Sequence, residues 1–308
     1  MWGVGGEEFA AILPETGVDA ALIDEATESI MIATKQPQRK DPFRVACGIA
    51  VFAVIVFVII ATIGNHLLPP TTGLLLGSST NANIAGWKLI FHDEFNETSL
   101  NSAIWNTGED DTYHSCCLTF GLQYFTSEAL ALKQGVLNIA SERRGMGGKD
   151  YTSGVLTTEN KFDFRYGRVD IRARLPKGQG MWPALWLTSG NIGREIDIME
   201  MVDDPTTIYQ SYHVNDPRYN SYVTQCTVDE QDLSATFHIY TVVWNATLVT
   251  WYVDGIQTCQ ITSHIPQVPM FIMIDTAVGG VWPGPPDDST VFPQYTLIDY
   301  VRVYQAQN

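Results

Sequence analysis

Three carboxylates, Glu195, Asp197 and Glu200, fall in the run Glu195-Ile196-Asp197-Ile198-Met199-Glu200, spaced by apolar side chains in a stretch that reads as a β-strand. Side chains alternate between the two faces of a strand, so Glu195 and Asp197 share a face and Glu200 would point into the core. A buried, unpaired carboxylate is too costly to keep there. One extra residue, a β-bulge at Ile198-Met199, returns Glu200 to the face of the other two. The outer pair then stands four strand steps apart, roughly 13 Å between Cα atoms at about 3.3 Å per residue. Glutamates leaning inward close most of that gap. They approach the ~5–5.5 Å at which one carboxylate attacks an acetal carbon while the other protonates the leaving oxygen. An isolated Glu-x-Asp pair is more often a solvated strand face. Three acids among Ile and Met repel one another and raise each other's pKa, a cost that a reactive site explains.

The elements that must position these acids are short. From Gly86 to Tyr304 the chain runs in alternating or apolar segments such as 135–140, 240–244, 248–255 and 297–304, separated by Gly, Asn and Asp, with no long helical periodicity. That spacing predicts an all-β sandwich.

Two flanking segments, 166–176 (YGRVDIRARLP) and 181–187 (MWPALWL), together with 195–200 (EIDIME), closely resemble glycoside hydrolase family 16 in its laminarinase-like, endo-1,3-β-glucanase branch. The six-residue form of the acidic motif resembles laminarinases, and a shorter form without the bulge belongs to lichenase-like members. The resemblance covers about Gly86 to Tyr304 and implies a β-jelly roll of two curved antiparallel sheets with the cleft on the concave one. It implies a β-glucan substrate, with Glu195 as nucleophile, Glu200 as acid/base and Asp197 assisting Glu195. Trp182 and Trp186 match cleft tryptophans expected to stack on sugar rings. His213 falls where the family has a cleft histidine, and Trp282 resembles a loop at the cleft rim. His238 also matches a family position, but it precedes a core-like strand and is read as structural. No cofactor is required for the chemistry. A structural calcium on the convex face is implied, held by Glu94, the backbone of Gly135 and Asp299. This chain departs from the family at Val281 (usually Asn), Arg194 (usually small) and Gly121 (often acidic). A wall-glucan transglycosylase and a non-catalytic glucan sensor are the alternatives. Sensors usually lose one of the acids, and both glutamates stand here.

The remaining sequence sets the context. Net charge is −16, which argues against nucleic acid or anionic surfaces as partners and is indifferent to a neutral glucan. Residues 1–44 read as a polar cytoplasmic N-terminal tail. Residues 45–64 carry no charge and are dense in Val, Ile and Phe, long enough for a transmembrane helix. Lys35, Arg39, Lys40 and Arg44 precede it, and the next basic residue is Lys88, so the positive-inside rule places the N-terminus inside and the bulk of the chain outside or in a lumen. This is a single-pass, type II membrane arrangement. Residues 65–85 have a linker composition, and 86–308 form the catalytic domain. Cys116, Cys117, Cys226 and Cys259 make an even exterior set. The two adjacent cysteines are poorly placed to join each other, so each is expected to reach Cys226 or Cys259. Sequons stand at Asn96 and Asn245.

Overall fold

The chain divides into a unit over residues 1–75 and a second over 76–308. The computed structural model describes residues 83–109, 121–214 and 222–307, all in the second unit. The expected tail, the expected span at 45–64, most of the linker, and Cys116 and Cys117 lie outside the described residues. Among the described residues no helix is long and apolar enough to cross a membrane.

Seventeen strands are described in chain order. They are β1 (Trp87–Asp93), β2 (Asn106–Thr107), β3 (Gln123–Phe125), β4 (Leu130–Lys133), β5 (Val136–Ser141), β6 (Tyr151–Ser153), β7 (Val155–Thr157), β8 (Gly167–Arg174) and β9 (Met181–Thr188). There follow β10 (Arg194–Met201), β11 (Thr207–Val214), β12 (Tyr222–Asp229), β13 (His238–Trp244), β14 (Val249–Val253), β15 (Ile256–Ile261), β16 (Phe271–Val278) and β17 (Gln294–Ala306). One sheet runs β15-β14-β13-β8-β17-β5-β4, with β1 also on β17. The other runs β12-β11-β10-β9-β16-β7-β2. Every pairing within these two sheets is antiparallel, the all-β sandwich that the spacing predicts. A short parallel pair, β3 with β6, is added at the side.

Strand alternation builds the core. In β8, Val169, Ile171 and Ala173 are buried, while Arg168, Arg172 and Arg174 between them are partly exposed. They pack in one cluster with Leu185 and Leu187 of β9, Ile196 and Ile198 of β10, and Ile272 and Ile274 of β16. The cluster lies between the sheets and leaves the opposite face of β9, β10 and β16 free to carry polar groups. The β14–β15 hairpin turns on Asp254-Gly255, both with positive φ (48° and 81°). Asp-Gly is the pair that a two-residue turn of this hand requires.

The cysteine expectation needs correction. Cys226 and Cys259 are joined to each other and not to the adjacent pair. Cys226 lies on β12 and Cys259 on β15, the outermost strands at one side of the two sheets, so the bond ties sheet to sheet there. No spacing rule reveals that two edge strands of different sheets will face each other.

Candidate active site

The structure contains the bulge. Against β9, Glu195 stands opposite Thr188, Asp197 opposite Trp186 and Glu200 opposite Ala184, with the register shifting between Asp197 and Met199. Five steps along β10 thus match four along β9. The same slip appears against β11, where Asp197 faces Ser211 and Glu200 faces Tyr209. Ile198 and Met199 are consecutive, yet both are wholly buried in the inter-sheet core. The three acids consequently line one cavity, with Trp182, Ala184, Trp186 and Asp275.

Burial decides the protonation states. Glu195 is the most open acid of the motif, its side chain 19% exposed, whereas Asp197 and Glu200 are buried. Desolvation, followed by the negative charge of Asp197, pushes the Glu200 carboxyl up to about 8. The indole N–H of Trp182, donated to Glu200 Oε1 at 2.9 Å, and His213 oppose that rise. Asp197 is raised by burial and then by Asp275, and Asp275 is itself raised by burial to about 7. A protonated Glu200 near neutral pH is what a general acid needs. Glu195, at the open end, is the group that an incoming acetal carbon can reach.

His213 faces Glu195 across the β10–β11 pair. Its Nε2 lies 3.0 Å from Asp197 Oδ2 and 4.0 Å from Glu195 Oε1. Glu195, Asp197 and His213 are also the one group, among the described residues, whose ligand atoms gather closely enough to hold a metal ion. Trp282, 42% exposed, packs edge-on against Trp182 with centroids 5.4 Å apart and tilts onto Tyr209 at 4.8 Å.

Trp186 differs from its expected role. It is 3% exposed and packed with Phe125, Val155, Ala184 and Met273, so neither face is an open platform. Its indole N–H instead donates to Asp275 Oδ1 at 2.9 Å, making it part of the cavity floor. Asp275 escaped the sequence reading. Its signal is an acid in the largely apolar Phe271–Val278 strand, the same kind of anomaly that marks Glu195 to Glu200. His238 bonds Asp254 and Thr236.

The two carboxylates expected to hold calcium are both engaged by arginines. Arg302 grips both oxygens of Glu94, through Nε at 2.8 Å and Nη2 at 2.7 Å, and Arg172 holds Asp299 at 2.6 Å. Each carboxylate is already neutralised by an arginine, and a bound cation would have to displace both. The departure at Gly121 has a local cause. A Cβ there would lie 2.1 Å from Gln123 Oε1, which accepts the Val278 N–H at 2.8 Å.

The sequence model for Glycosyl hydrolases family 16 matches residues 100–302. The chain belongs to glycosyl hydrolase family 16. This family 16 chain is 32% identical over 263 residues to a beta-glucanase of Rhodothermus marinus, a match covering 75% of the chain and 90% of that protein. It is 30% identical to glucan endo-1,3-beta-glucosidase A1 of Niallia circulans, with 75% of the chain matched but only 40% of that longer protein. The laminarinase catalytic domain of Thermotoga maritima superposes with a TM-score of 0.66 at 36% identity, covering 72% of the chain and 99% of the domain. The family 16 unit is thus a glycoside hydrolase similar to endo-1,3-β-glucanases.

Proposed function

We propose that the chain is a retaining, endo-acting β-glucan hydrolase of the endo-1,3(4)-β-glucanase type, working by double displacement. The observation that carries this reading is the bulge, which sets Glu195 and Glu200 on one face with the first partly open and the other buried. Ionised Glu195 attacks the anomeric carbon while Glu200 gives its proton to the departing glycosidic oxygen, leaving a glycosyl ester on Glu195. Glu200, now a carboxylate, takes a proton from water. The resulting nucleophile attacks the same carbon, releases Glu195 and restores the β configuration. Asp197, between them and beside His213, tunes the charge and orientation of Glu195. Trp182 and Trp282 supply apolar faces to the chain of sugars.

Azide separates the two roles. Glu195→Ala should abolish turnover of laminarin, and added azide should restore part of it as an inverted α-glycosyl azide. Glu200→Ala should still form the glycosyl-enzyme from an aryl glycoside whose leaving group needs no proton, and azide should then release a β-configured product. Wild-type protein that binds laminarin without shortening or rearranging it would leave the sensor reading instead.

For the first 85 residues we infer a cytoplasmic tail over 1–44, a membrane anchor over 45–64 and a linker over 65–85, with the hydrolase outside or in a lumen. The uncharged span and the basic cluster before it support this topology. Protease added to intact cells should remove a C-terminal epitope and spare an N-terminal one. The reverse pattern rejects it.

A further inference from the structure

A bulge leaves its extra residue out of the strand ladder, and a buried carbonyl without a partner is destabilising. At this bulge two side chains from outside β10 meet the backbone. Trp251 of β14, in the opposite sheet, donates its indole N–H to the Asp197 carbonyl at 2.8 Å. Gln210 of the neighbouring β11 donates its amide N–H to the Ile198 carbonyl at 3.3 Å. Both side chains are buried. Gln210 is itself fixed, because its Oε1 accepts the hydroxyl of Thr258 on β15 at 2.7 Å. The sheet-to-sheet bond reinforces the same place: Cys226 pairs with Gln210 across β11–β12, and Cys259 pairs with Trp251 across β14–β15.

We propose that Trp251 and Gln210 are positioning residues for the acid/base Glu200, holding the one-residue register slip that aims it into the cavity. The proposal rests on the catalytic reading of Glu200 given above. The reason is geometric. A strand that sheds its bulge turns every later side chain to the opposite face, which would send Glu200 toward the core and Met201 toward the cleft. The carbonyls of Asp197 and Ile198 flank the point where that slip would begin. In the bulged form Trp251 and Gln210 give them partners. Neither side chain touches the cavity, so their effect on chemistry passes through the backbone of β10.

Trp251→Phe removes one donor and keeps a ring of similar shape, Gln210→Leu removes the other, and Thr258→Val only loosens Gln210. Each variant is assayed on laminarin and on a dinitrophenyl β-glucoside of a laminari-oligosaccharide, well below its own Tm. On laminarin kcat should fall about 10- to 100-fold for Trp251→Phe and Gln210→Leu and less for Thr258→Val, with KM within about twofold. On the activated substrate, which needs no proton, glycosyl-enzyme formation should lose under about threefold. The basic limb of the laminarin pH profile should move, following the altered surroundings of Glu200. Equal losses on both substrates, or wild-type rates on both, overturn the proposal. If Trp251→Phe and Gln210→Leu fail to fold, Thr258→Val carries the same comparison. Wild-type protein inactive on every β-glucan would sink the catalytic reading instead. In that event the titration of the 13C-labelled Glu200 carboxyl in wild type and variants decides the positioning claim, and an unchanged titration rejects it.

Discussion

Trp182 donates its indole N–H to Glu200 Oε1 at 2.9 Å, so a residue expected to hold sugar also touches the proposed acid/base. That hydrogen bond favours the ionised carboxylate and works against burial. Trp182→Phe keeps the ring and loses the donor. Its expected signature is a basic limb of kcat/KM shifted to higher pH, with kcat lowered about 10- to 100-fold, since hydrogen bonds to charged groups contribute about 1.5–3 kcal/mol. A variant that changed KM alone would show that Trp182 serves binding only.

Wild-type activity should fall as pH rises through about 8, where Glu200 gives up the proton it must donate. The charge of Asp197 contributes to that elevation, second to burial. Asp197→Asn should therefore draw the basic limb toward neutral pH and leave a slower but active enzyme. An unmoved limb would separate Asp197 from the acid.

Asp275 costs stability in a definite pH window. Its folded carboxyl is raised from 3.8 to about 7, so between those values the folded state binds more protons than the unfolded one and stability declines as pH increases. Asp275→Asn keeps an acceptor for Trp186 and carries no charge. The variant should be more stable than wild type at pH 8, on the order of 4 kcal/mol, and the two should converge below about pH 4. Thermal unfolding across that range measures it, and a constant difference at all pH values would contradict the linkage.

Removal of the Cys226–Cys259 bond, which spans 33 residues, should cost about 3–4 kcal/mol and lower Tm by about 10 °C in a domain of this size. Differential scanning calorimetry of the doubly Ser-substituted protein provides the test. If mass spectrometry of the native protein found Cys226 and Cys259 as free thiols, the assigned pairing would be wrong.

The sequence by itself determined the all-β class, the acidic motif and the need for a bulge inside it. These are local consequences of strand alternation: a carboxylate at Glu200 and apolar residues at Ile198 and Met199 cannot all be placed well without an extra residue. Only the tertiary structure decided what surrounds the motif. Asp275 lies 75 residues beyond Glu200 in sequence but flanks the same Ala184 from the other side, because β9 pairs with both β10 and β16. Trp186 and Trp182 stand four residues apart on one face of β9 and look equivalent in sequence, yet one is packed against Phe125 and Met273 while the other meets Trp282. Glu94 and Asp299 are sound oxygen donors on paper, and Arg302 and Arg172 claim them in the fold. Partners brought together by sheet order and by the packing of one sheet on another leave no periodic trace along the chain, whereas the face on which a strand residue points does.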